Sequence, residues 1–126
     1  MNDKREIEAI NIQLLALAFA VISAIISFIL TYNQKLGLEN NGELFKAKTA
    51  FKITLFNRIL IIILSFIFLY VNYVFYEVSK DEGEDLKPYI LQIAASIITI
   101  IPGLIALYVV LLSTTEDIAD VENPII

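Results

Sequence analysis

Residues 88–115, PYILQIAASIITIIPGLIALYVVLLSTT, are 28 consecutive positions without Asp, Glu, Lys or Arg. Roughly 20 helical residues, each rising about 1.5 Å, cross the ~30 Å hydrocarbon core of a bilayer. This run therefore has length to spare. Towards the N-terminus, residues 59–76, ILIIILSFIFLYVNYVFY, give 18 more uncharged positions. They reach about 27 Å at the same rise, and further when residues 53–57 join them. Residues 9–34 give another 26. Buried helices of soluble proteins seldom need such runs. Composition agrees: 58% hydrophobic and 18% charged residues, against about 45–50% and about 25% in soluble domains. The expected fold is all-α, an integral membrane protein built as a bundle of three transmembrane helices. Residues 1–126 form one membrane domain, with spans at about 9–32, 53–76 and 89–112 and an acidic tail over 113–126.

The connections follow from turn chemistry. Residues 33–42 hold Gly37, Asn40, Asn41 and Gly42 and read as a loop. Asn40 with Glu43 resembles a capping box. No helix breaker lies between Glu43 and Lys80. We therefore expect one second helix from Glu43 to about Ser79, extending beyond the bilayer; the alternative is a short amphipathic helix in the interface. The second turn is acidic around Gly83, and Pro88 suits a first helical turn. Pro102-Gly103 inside the third span reads as a kink, since neighbouring helices satisfy freed carbonyls in a membrane. The acids mixed with Lys4 and Arg5, and the absence of a small-residue cleavage signature after Leu30, read as a retained helix rather than a signal peptide.

Several functions are disfavoured by what the chain holds. It has no Cys and no His, which removes thiol and imidazole chemistry and their metal sites. Its net charge of −5 opposes nucleic-acid binding and a polybasic grip on anionic lipid. No carboxylate lies deep in a span, as proton-coupled transport usually needs, and there is no phosphate loop or nucleophile–base pair. The loop acids read as solvated charge. Neither catalysis nor a metal or other cofactor is expected.

What remains is the distribution of polar and small residues on the helices. Ala16, Ala20, Ser23, Ser27 and Thr31 form one stripe on the first helix, and Gln92, Ser96, Thr99, Gly103 and Ala106 another on the third. Small residues let helix backbones approach, so these two helices are expected to pack closely. The second helix is aromatic, but Arg58, Ser65 and Asn72 recur every seven residues. Asn72 should hydrogen-bond across a helix interface, because its amide is costly facing lipid. Tyr70, Tyr73 and Tyr76 read as an aromatic belt.

The expected function is a small non-enzymatic multi-pass protein that self-associates as a homo-oligomer and acts as a scaffold or accessory subunit through helix–helix contacts. The alternative is an oligomeric ion channel or holin-like pore lined by the polar residues of spans two and three. Its surroundings are the lipid bilayer, with a protein partner at the acidic tail, Thr115 to Ile126. The expected location is the cytoplasmic membrane of a prokaryote. Lys4, Arg5, Lys80 and Lys87 on one face stand against Lys35, Lys46, Lys48, Lys52 and Arg58 on the other. That margin of one places the N-terminus outside and the C-terminus inside.

Overall fold

The computed structural model describes residues 2–40 and 42–113. Three helices follow one another: α1 (Asn2–Leu38), α2 (Ala47–Asp81) and α3 (Lys87–Leu112). All three are long and apolar enough to cross a membrane. Less than a quarter of the most apolar window of each is buried inside the protein. The apolar residues on the remaining faces, such as Leu14, Phe28, Ile98 and Leu111, are exposed. In water that surface would drive aggregation; in hydrocarbon it is solvated. The chain is a small three-helix membrane protein. Its acidic tail, and the partner expected there, lie outside the described residues.

The helix ends differ from the sequence-based expectation in two places. α1 continues through residues 33–38, where a loop is expected, and so at 37 residues spans about 55 Å. Asn33 is buried near this end, and its side-chain oxygen accepts the backbone N–H of Phe45 at 2.9 Å. That bond ties the loop back onto α1. The positive φ values of Asn40 (57°) and Gly42 (85°) turn the chain there. α2 begins at Ala47 rather than Glu43, with Lys46 at its N-cap and no side-chain cap. The capping box of Asn40 and Glu43 therefore does not form. α2 is nonetheless one continuous helix of 35 residues, about 52 Å long, which exceeds the bilayer as expected. It stops at Gly83 (φ 72°), where the N–H groups of Gly83 and Glu84 reach back to the carbonyls of Lys80 and Ser79. Pro88 occupies the first turn of α3, and that helix runs through Pro102.

The main correction concerns which helices touch. α2 packs along both neighbours, whereas α1 and α3 make no comparable contact with each other. The close α1–α3 pairing expected from their small-residue stripes is absent. Two sevenfold seams on α2 explain this. Ala50, Asn57, Leu64, Val71 and Val78 form one, and all are buried. Arg58, Ser65 and Ser79 belong to the other, one position later, and are buried too; Asn72 shares that seam and is half-buried. Successive residues on a helix differ by about 100°, so the seams face different neighbours. The first meets a matching sevenfold series on α1, Ala9, Ala16, Ser23 and Leu30, each buried. A seven-residue repeat on both partners is the pattern of left-handed helix pairs. The bulky Phe56, Phe66, Tyr70 and Tyr73 stay exposed on the outer side of α2. The rings of Tyr73 and Tyr76 lie 6.4 Å apart, stacked at 27°.

At one membrane face the three helices converge, with Leu30, Ala50 and Val110 in one buried cluster. At the opposite end, Ala9 packs with Val71, Val74 and Val78 between α1 and α2 alone. Arg5 and Glu77 approach to 4.0 Å there; both are substantially exposed, so the pair adds little stability.

Candidate functional site

Two polar contacts hold α2 to its neighbours within the spans. Asn57 is 1% exposed. Its side-chain oxygen accepts the Ser23 hydroxyl at 2.7 Å, and its amide nitrogen donates to Ser27 at 2.8 Å. An amide buried in hydrocarbon needs partners, and a serine pair one turn apart on α1 supplies both. On the other seam, Asn72 donates to the Ser96 hydroxyl of α3 at 2.5 Å, the cross-helix bond expected of it. Ser96 in turn donates to its own helix at the Gln92 carbonyl. Ser65 and Thr99 likewise donate to the carbonyls four residues back, Ile61 and Ala95.

Because α1 and α3 do not pack along their length, a trough opens between them with α2 as its floor. Three cavities of about 770, 640 and 300 Å³ lie along it, and Ser65 and Thr99 line all three. The largest opens towards the end holding Glu6 and Tyr89. The second is walled by small α1 residues, Ala20, Ala24, Ser27 and Thr31, with Phe28 and Phe68. The smallest lies between α2 and α3, bounded by Arg58, Pro102, Gly103 and Ala106.

The sequence-derived residues thus divide. Ala16, Ser23 and Ser27 are buried, with Ser23 and Ser27 bonded to α2, while Ala20 is half-buried on the trough wall. Arg58 is 2% exposed, so it is not a guanidinium extended into the interface. Ser96, Gly103 and Ala106 are covered to differing degrees, and the Cβ position of Gly103 lies 3.6 Å from the Ile62 side chain of α2. Gln92 and Thr99 are exposed in the trough. Two residues were missed. Asn57 precedes the Arg58 seam by one position, and its own sevenfold relation to Ala50 and Leu64 was the available signal. Gln13 is half-buried and shares the largest cavity with Asn72 and Gln92. No protein-family model, curated protein or solved structure matches the chain.

Proposed function

We propose that this is a non-enzymatic membrane protein that self-associates within the bilayer, as a scaffold or accessory subunit, by receiving a helix of a second copy in the trough. The supporting observation is the wall of small α1 residues, Ala20, Ala24, Ser27 and Thr31, facing Thr99 across an open cavity of about 640 Å³. Small side chains let a further backbone approach closely, which is the main source of helix association where lipid is as apolar as protein. A fourth helix would complete a four-helix cross-section.

Oligomer mass in native detergent complexes tests this. The wild type should form dimers or larger species. Ala24→Trp fills the trough from an exposed position and should shift them to monomers with helicity intact. A strictly monomeric wild type, or an unchanged distribution for A24W, would sink the proposal.

A second reading is the oligomeric ion channel or holin-like pore, favoured by Ser65, Asn72, Gln92 and Thr99 lining one cavity. Ion flux into liposomes holding the pure protein would support it, and a flat trace with confirmed insertion would remove it. A partner at the acidic tail predicts a changed pull-down profile when residues 115–126 are deleted. The orientation, with the C-terminus inside, is tested by a C-terminal reporter active on only one side.

A further inference from the structure

The structure changes the balance of basic residues on which orientation depends. Arg58 supplied the margin of one between the two faces. It is 2% exposed and follows Asn57, which bonds Ser23 and Ser27 well inside the uncharged run 9–34. It also lines a cavity with Pro102 and Gly103, at the middle of the run 88–115. Arg58 therefore belongs to the interior of the bundle and not to a loop flanking a span. Without it, Lys4, Arg5, Lys80 and Lys87 stand against Lys35, Lys46, Lys48 and Lys52, four to four. Residues 113–126 add no Lys or Arg. Basic residues near the span ends set orientation, and acids contribute little. A tie favours neither direction of insertion.

The α1 wall of the trough matches an inverted neighbour. Glu6, Ile10, Gln13, Ala20, Ala24 and Thr31 line the cavities from one face of α1. Lys35, four residues past Thr31, continues that face. The face thus carries an acid at one end and a base at the other, about 44 Å apart. Pairing two such faces in parallel would set Glu6 against Glu6 and Lys35 against Lys35. An antiparallel pair with its two-fold axis between Ala20 and Val21 sets each Glu6 against Lys35 of the other copy. The same pairing places the exposed Leu17 against the small Ala24. That axis lies about 1.5 Å from the midpoint of the run 9–34, so inversion keeps both apolar bands at one depth. Shape agrees with charge. The three helices converge at the face of Leu30, Ala50 and Val110, while α1 and α3 part towards Glu6 and Tyr89. An inverted copy sets a narrow end beside a wide one, whereas a parallel copy sets two wide ends together.

We propose that the protein inserts in both orientations, and that the helix received in the trough is α1 of a second, inverted copy, giving an antiparallel homodimer. This rests on self-association through the trough and names the partner and its direction. It replaces the single orientation expected from the sequence, which depended on counting Arg58 at a membrane face. The contact is isologous: each copy's α1 enters the other's trough. The two Glu6–Lys35 pairs lie near the membrane faces, where they add little affinity and instead select the antiparallel arrangement.

The chain has no cysteine, so introduced ones report without background. Ile10 and Thr31 meet across copies in the antiparallel pair, yet within one chain they are 21 residues, about 32 Å, apart. Ile10→Cys combined with Thr31→Cys, oxidised in membranes, should give a disulfide-linked dimer, and Ile10→Cys alone should give little. Linked dimers from Ile10→Cys alone would show parallel copies and overturn the proposal, and so would a double variant that forms dimers without linking. Glu39→Cys and Glu84→Cys, exposed at opposite faces, read orientation. An impermeant maleimide added to intact cells should label about half of each. Full labelling of one with none of the other would also overturn it. Glu39→Lys with Glu43→Lys, and Asp81→Lys with Glu84→Lys, weight opposite faces. Each pair alone should lose dimers, and coexpression of the two should restore them. Dimers in a variant of one orientation would refute inversion while leaving self-association standing, whereas a strictly monomeric wild type would remove self-association itself.

Discussion

Replacing Asn57 with Leu probes the α1–α2 interface most directly. Asn57 is 1% exposed and makes two interhelical hydrogen bonds, to Ser23 and Ser27. Leu has the branched shape of Asn but larger ends, so the change removes polarity without leaving a cavity and adds some overpacking. Interhelical hydrogen bonds in membrane proteins average about 0.6 kcal/mol and reach about 1.7. Two of them give an expected loss of about 1–3 kcal/mol. The stranded serines lower that figure rather than raise it, since each hydroxyl can turn to a carbonyl four residues back on α1. Equilibrium unfolding in bicelles, followed by steric trapping, reads the change. The decisive measurement is a double-mutant cycle: in a Ser23→Ala, Ser27→Ala background, Asn57→Leu should cost markedly less. A coupling within about 0.3 kcal/mol of zero would mean the three side chains act independently. In that case Asn57 would not be the residue that joins α1 to α2.

Asn72→Leu should cost less, about 1 kcal/mol, because Asn72 is only half-buried and Ser96 keeps its bond to the Gln92 carbonyl; the same unfolding assay checks it. Gly103→Ala should be neutral or stabilising by up to about 1 kcal/mol, since the added methyl meets Ile62 at an ordinary contact distance of 3.6 Å and alanine favours helix; a clear loss of thermal stability in detergent would show tighter α2–α3 packing than described. Asn33→Ala should speed amide hydrogen exchange at Phe45 roughly fivefold, reflecting a lost bond of about 1 kcal/mol, with α1 exchange unchanged.

The three spans were legible in the sequence because uncharged runs of this length have few other uses. The partner of each helix was less legible, because a stripe of small residues shows that something packs there without showing what. Ser23 and Ser27 belong to such a stripe and bond Asn57 of α2, not a residue of α3. Phe56, Phe66, Tyr70 and Tyr73 all sit on the outer side of α2, leaving two less bulky seams for its neighbours. Sequential antiparallel helices joined by short connections are usually adjacent in space, and that rule outweighed the likeness of the α1 and α3 stripes. Asn72 stood out as an amide within a span. Asn57 did not, because Arg58 beside it made the position look like a span boundary.

The two seams of α2 also bear on the order in which the protein is made. Its first seam is completed by residues that precede it in the chain, except at Ala50, which also clusters with Val110, whereas Asn72 of the second is bonded by Ser96, which follows. A nascent chain inserted from its N-terminus can therefore close the α1–α2 hairpin, with Asn57 already bonded to Ser23 and Ser27, while α3 is still being synthesised. The third helix then docks as a late addition onto a preformed pair. Truncation after α2 should leave a folded hairpin, whereas removal of α1 should leave Asn57 without its serines in the membrane.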